Sequence, residues 1–244
     1  AYKEKPPNAV LAMGGFTSAA PIVLGKRYGV ATFLHESNAI PGRANRLLAP
    51  VVDEIFIGLE AARNRFLNTR ATVTGTPVRS EFTDLDKTVC RIRLGLDVRR
   101  SVLLIMGGSQ GARGINELLL AALPSLKRIR PDLQLLHLAG KGEVERVRRV
   151  YERAEMEVTI HEFLADMPAA LGAADVAVSR AGASSLAELA AARLPALLLP
   201  YPLAADDHQR HNARGFMAAG GAVVMEQTES PERLVCFIER LFEK

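Results

Sequence analysis

The stretch Ala174–Asn212 constrains the fold more than any other part of the chain. A short apolar run, Val176–Val178, meets the small-residue turn Arg180-Ala-Gly-Ala-Ser-Ser. A helical pattern follows over Leu186–Arg193, then a second buried-type strand, Pro195–Pro200. Strand, loop, helix and strand in that order build a parallel α/β sheet, because parallel neighbours need a crossover between them. In such sheets function gathers at the carboxyl ends of the strands. There the chain places the flexible turn, a carboxylate one helical turn on (Glu188), and the polar cluster Asp206, Asp207, His208, Gln209 and Asn212. Gly182 and Ala183 let a ligand approach the backbone, and Ser184 or Ser185 is suited to cap the helix. Glu188 has two readings, a bidentate acceptor for two ribose hydroxyls or a solvated first-turn residue favoured by the helix dipole. The pattern alone leaves both open.

The same grammar recurs from the start. Ala9–Met13 reads as a strand ending in Gly14-Gly15, with a helix to about Tyr28. Val30–Leu34 is the next strand, and its carboxyl end carries His35-Glu36-Ser37-Asn38. Four consecutive polar side chains exceed what a turn requires, and His35 is the kind of group that titrates near neutrality. The blander account is a loop and N-cap for a helix over Arg43–Leu48. Asp53–Ile57 is a strand, Leu59–Phe66 a helix, and Ala71–Thr74 a strand closing on Gly75-Thr-Pro-Val-Arg79. The polar run 80–87 then reads as an interdomain linker. Within it Asp84-Leu-Asp86 matches the Asp-x-Asp pattern of metal-dependent sugar transferases. No apolar strand precedes it, so a solvated loop is the better account.

The second half opens with a helix near Thr88–Leu94 and the strand Ser101–Met106, which runs into Gly107-Gly-Ser-Gln-Gly-Ala-Arg-Gly-Ile-Asn116. Glycines at a strand-to-helix junction make a nest of backbone N–H groups, and the helix dipole behind it adds positive potential. Gly107, Gly108, Gln110 and Gly111 are therefore candidates to cradle a phosphate. The run is neither the dinucleotide fingerprint nor a Walker loop. Leu118–Ile129 reads as a helix, Leu133–Leu138 a strand, Glu143–Ala154 a basic amphipathic helix, and Val158–Phe163 a strand delivering Leu164 to its carboxyl end. Asp166–Ala173 is a short helix. After Asn212 come a helix (Ala213–Ala219), a strand (Ala222–Met225) and a helix from Pro231. His137 fits a core position better than a catalytic one, and His161 fits either. Two βα-repeating halves imply α/β architecture with two Rossmann-like domains whose parallel sheets face a cleft. Their expected spans are 1–79 and 88–244, joined by 80–87.

Composition narrows the function classes. With 48% apolar and 24% charged residues the chain builds sizeable cores. A net charge of +4 suits an anionic ligand or a membrane surface. Nucleic acid is disfavoured, because basic residues are spread over helix faces and there are no Trp and only four Tyr for stacking. Cys90 and Cys236 are far apart and read as free thiols, and no metal spacing occurs. No apolar run reaches the ~18 residues of a spanning helix.

Five motifs occur in order: His35-Glu-Ser-Asn-Ala-Ile-Pro-Gly, Gly75-Thr-Pro-Val-Arg79, the Gly107–Asn116 run, Ser179-Arg-Ala-Gly-Ala-Ser-Ser-Leu-Ala-Glu188 and Asp207-His-Gln-Arg-His-Asn212. Together they resemble the MurG family, the bacterial GlcNAc transferases of glycosyltransferase family 28 with a GT-B fold. The resemblance implies inverting transfer of GlcNAc from UDP-GlcNAc to a lipid-linked muramoyl-pentapeptide, with no metal and no cofactor, at the cytoplasmic face of the plasma membrane as a peripheral protein. It implies His35 and Glu36 on the acceptor side as catalytic candidates. Asn38 and Arg79 would help hold the nucleotide sugar, and Ser109 with its neighbouring amides the diphosphate. Leu164 would meet the uracil through its backbone, and Ala183, Ser184, Ser185, Leu186 and Ala187 would lie along the nucleotide. Glu188 would take the ribose hydroxyls and Gln209 the GlcNAc hydroxyls. Family members carry a strand and a Gly-rich loop with a His ahead of the point matching Ala1, and an extension beyond Lys244. The chain is thus expected to be a fragment that binds donor, with transfer at or below detection. The alternatives are a nucleotide-sugar-binding subunit without catalysis, a UDP-GlcNAc 2-epimerase-like enzyme, and an NAD-dependent oxidoreductase, for which the fingerprint is missing.

Overall fold

The computed structural model describes residues 4–66, 70–108 and 113–243. Ser109, Gln110 and Gly111, expected at the phosphate nest, lie outside the described residues. The chain divides into two compact units, Ala1–Pro77 with Ala205–Gly215, and Val78–Ala204 with Phe216–Lys244.

The first unit carries β1 (Ala9–Ala12), α1 (Ala19–Arg27), β2 (Ala31–Glu36), α2 (Arg43–Leu48), β3 (Glu54–Ile57) and β4 (Ala71–Val73). Its strands form a parallel sheet in the order β1-β2-β3-β4. Ile22, Leu34, Ile55 and Ile57 are fully buried between sheet and helices, each such side chain contributing ~1.5–3 kcal/mol. The helix expected over Leu59–Phe66 is a 3-10 helix over Glu60–Arg65.

The second unit runs through α3 (Lys87–Arg93), β5 (Val102–Met106), α4 (Arg113–Ile129), β6 (Gln134–Leu138), α5 (Val144–Ala154), β7 (Val158–His161), α6 (Met167–Ala173), β8 (Val176–Ser179), α7 (Ala183–Ala191) and β9 (Ala196–Leu198). After α8 (His208–Ala218) come β10 (Ala222–Val224) and α9 (Pro231–Phe242). The sheet is parallel in the order β10-β9-β8-β5-β6-β7, a doubly wound arrangement whose order reverses between β5 and β8. Every residue of β5 is buried, which is why it reads as an unbroken apolar run. α9 turns Leu234, Val235, Ile238 and Leu241 into the core that holds Leu119, Leu123 and Leu126 of α4, the i, i+4, i+7 stripe of an amphipathic helix.

The segment 80–87 groups with the second unit. Phe82 is 1% exposed, Asp86 caps α3 by accepting from the Val89 N–H at 2.9 Å, and Arg91 of α3 pairs with Asp175 at 2.6 Å. Three helix starts also differ from the pattern reading. α4 already includes Arg113, ahead of its first apolar position. α7 begins at Ala183 with Gly182 as its N-cap and no capping side chain, so neither Ser184 nor Ser185 is the cap. α8 begins at His208, which sets Gln209 and Asn212 on a helix. In each case small or polar residues continue a helix that apolar periodicity shows only in part.

Candidate functional site

The carboxyl ends of β5, β6 and β7 and the first turns of α7 enclose a cleft of about 320 Å³ in the second unit. Gly107 and Gly108 form one wall, Gly140 and Leu164 another, and Ser185, Glu188 and Arg79 a third. Gly108 sits at φ 74, a conformation that side chains resist. Glu188 is half-buried, and burial raises its carboxyl above the usual carboxylate range while Arg79 acts in the opposite direction. Arg79 itself stacks its guanidinium 5.1 Å from the Phe82 ring. Leu186, 2% exposed, is a core residue that does not line the cleft, whereas Ser184 is exposed and Ala183 and Ala187 are partly so. Phe163, beside Leu164, is 80% exposed and lines the same cleft. Phe163 closes the strand read from the sequence, and a place at a strand's carboxyl end was the signal for it.

The remaining expected residues belong to the first unit. His35 is 3% exposed. Its Nε2 lies 2.9 Å from the Gly75 carbonyl, which only accepts, so Nε2 carries the proton. Nδ1 then accepts from the Ser37 hydroxyl at 3.3 Å. Glu36, equally buried, accepts four N–H bonds. Oε1 takes the Asn38 backbone at 2.8 Å and its amide at 3.2 Å; Oε2 takes the Gly42 backbone at 2.9 Å and the Asn45 amide at 2.8 Å. Asn38 in turn accepts from Asn212 at 3.0 Å, and Asn212 Oδ1 accepts from the Ala39 backbone at 2.8 Å. The loop after β2 is thereby fastened to α8, one turn from Gln209. Asn212 belongs to the polar cluster that begins at Asp206, whereas Asn45, inside the helical pattern Arg43–Leu48, carries no signal of its own.

His137 is a satisfied core residue. Its Nε2 donates to Asn116 Oδ1 at 2.9 Å and Nδ1 accepts from the Tyr151 hydroxyl at 3.0 Å, and burial lowers its pKa to about 4. His161 is partly buried, with Nε2 shielded and without a partner. Among the described residues no group of three His, Cys, Asp or Glu is placed to hold a metal. No helix among them is long and apolar enough to cross a membrane. Cys90 is buried and Cys236 exposed, both as free thiols.

Two parallel-sheet α/β units, one doubly wound with its cleft at the strand carboxyl ends, define a GT-B-like protein. The family model of the glycosyltransferase family 28 C-terminal domain matches residues 102–244, and that of the N-terminal domain matches 1–57. The chain belongs to glycosyltransferase family 28. A UDP-N-acetylglucosamine--N-acetylmuramyl-(pentapeptide) pyrophosphoryl-undecaprenol N-acetylglucosamine transferase of Geobacter sp. (strain M21) is 39% identical over 99% of this chain and 64% of its own length. The Carboxydothermus hydrogenoformans protein of the same name is 37% identical over 94% of the chain and 62% of its own length. This chain thus spans less than two thirds of those relatives. The crystal structure of Acinetobacter baumannii MurG matches with a TM-score of 0.76 and 30% identity, over 99% of this chain and 67% of that one. A Neisseria meningitidis UDP-GlcNAc 2-epimerase matches at TM-score 0.69 and 15% identity over 99% of this chain and 69% of its own, a likeness of fold.

Proposed function

We propose that the chain binds UDP-GlcNAc in its second unit and serves transfer of GlcNAc to a lipid-linked muramoyl-pentapeptide, the reaction named for its relatives, and that the transfer inverts the anomeric centre and uses no metal. The observation that carries this reading is the cleft at the carboxyl ends of β5, β6 and β7 and the first turns of α7, where a half-buried carboxylate, an arginine and a left-handed glycine converge. Glu188 accepts from both ribose hydroxyls, a role only an ionised, correctly aimed carboxylate fills with two bonds. The backbone after β7, at Leu164, meets the uracil edge. Gly107, Gly108 and the amino end of α4 receive the diphosphate, whose growing charge the helix dipole offsets as UDP departs. Arg79 adds a cation to the same wall. On the first unit, Asn38 and Gln209 are assigned to the sugar hydroxyls and His35 to proton removal, with its free-electron-pair nitrogen directed at Ser37. Glu36, with both oxygens filled, orders the loop. A polyprenol-linked acceptor is confined to the bilayer, so the protein meets it as a peripheral protein at the cytoplasmic membrane face.

Calorimetry with UDP and UDP-GlcNAc tests the reading. Glu188→Ala should weaken both by ~1.5–3 kcal/mol, the range for a hydrogen bond to a charged group, with or without EDTA. Unchanged affinity in the variant, or an EDTA-induced loss that magnesium restores, would refute it.

A further inference from the structure

Another cavity of the second unit lies at the edge of the sheet opposite the cleft. It measures about 290 Å³ and sits where α7, α8 and α9 end, over the turns that lead into β9 and β10. Leu189, Leu194, Pro195, Phe216 and Leu241 give it apolar walls. Arg193 is the one charged residue that lines it among the described residues. The volume is about twice the ~150 Å³ of an apolar cavity that takes a benzene ring. An alkyl chain of medium length fits such a space.

The arginine is set there by the backbone. Arg193 closes α7 in a Schellman turn: its N–H donates to the Ala190 carbonyl at 3.1 Å, and the Leu194 N–H to the Leu189 carbonyl at 3.0 Å. The turn needs a left-handed residue, which glycine supplies without strain. Arg193 stands there instead, at φ 53. Its side chain is exposed and forms no hydrogen bond or ion pair among the described residues. The carboxyl ends of α7, α8 and α9 also bring the negative poles of their dipoles to this edge. An anion is therefore held here only through the guanidinium, while the walls beside it take an apolar body.

We propose that this cavity binds a medium-chain fatty acid, with the alkyl chain along Leu194, Phe216 and Leu241 and the carboxylate on Arg193. One charged head on one apolar chain matches a pocket with apolar walls and a single cation at its lip. The site is separate from the donor cleft and does not depend on the donor-binding reading. Two signatures follow: affinity grows with chain length, and it depends on the charge of the head.

The experiment is titration of the 244-residue chain and its Arg193→Gly, Arg193→Lys and Ala190→Leu variants with hexanoate, octanoate and 1-octanol, read by calorimetry and by methyl resonances. Octanoate should bind more tightly than hexanoate by ~4-fold for each added CH2. It should shift the methyl resonances of Leu189, Leu194 and Leu241 ahead of all others. It should also bind ~2–5-fold more tightly than 1-octanol, the size of an exposed charge pair. Arg193→Gly suits the left-handed turn, so it folds, and it should lose that margin; Arg193→Lys should keep most of it. Ala190→Leu, which crowds the exposed lip of the cavity, should weaken octanoate and 1-octanol alike. Equal affinity of the unmodified chain for octanoate and 1-octanol, or an unchanged margin in Arg193→Gly, overturns the proposal and leaves Arg193 as a cation at the end of α7. Octanoate that shifts other methyl groups first, or that does not bind, overturns it as well.

Discussion

Glu36→Gln removes one acceptor oxygen from the most densely bonded carboxylate of the first unit. The carboxylate takes two N–H bonds on each oxygen, from Asn38 on one side and from Gly42 and Asn45 on the other. A glutamine amide has one acceptor oxygen, so in either orientation two N–H groups face an NH2. Each hydrogen bond to a charged group is worth ~1.5–3 kcal/mol, so the loss is ~3–6 kcal/mol. That is a large share of the ~5–15 kcal/mol that holds a typical domain together. Urea unfolding followed by circular dichroism should show this loss, and amide exchange at Asn38 and Gly42 should accelerate. UDP affinity, which belongs to the second unit, should not change. A stability loss below ~1 kcal/mol, the size of an ordinary substitution, would refute the clamp and return Glu36 to the candidates for proton transfer.

Two further outcomes follow from the packing. His137 is neutral in the fold with its pKa at about 4, against an ordinary 6.5; a depressed value means that the unfolded chain binds the proton more tightly. Its contribution is complete above pH 6.5 and is lost as pH falls toward 4, by ~3 kcal/mol in all. Thermal midpoints recorded from pH 7 to 5 should decline in the wild type and decline less in His137→Phe, and parallel slopes would refute the assignment. Gly58→Ala should destabilise the first unit by ~1–3 kcal/mol, the usual cost of overpacking, because the added Cβ would lie 2.3 Å from Thr76 Oγ1 and 3.0 Å from the Ser37 carbonyl. Unfolding free energies of the two chains check this, and equality would mean that the Ser37 loop yields freely.

The parallel α/β architecture was legible in the sequence because short apolar runs, bounded by glycine or polar residues, alternate with helical patterns. Val102–Met106 and Val176–Ser179 are short apolar runs stopped by glycine or arginine, and each opens a helix. The cleft residues Gly108, Leu164 and Glu188 were legible too, since in such a sheet everything just past a strand's carboxyl end shares one edge. The limits of α4, α7 and α8 were not, because helices that begin with small or polar residues carry little apolar periodicity there. Nor was the division of labour around residue 205. Local sequence places Ala205–Gly215 after the second unit's β9, yet Asn212 bonds Asn38 and Ala39 and so groups that segment with the first unit. The same holds for Glu36 and Arg180. Their side chains announce charge, and only the packed structure decides how it is answered. Glu36 meets four N–H donors, whereas Arg180 finds three neutral oxygens and no anion among the described residues, because those partners lie between 2 and 47 positions away and only folding brings them together.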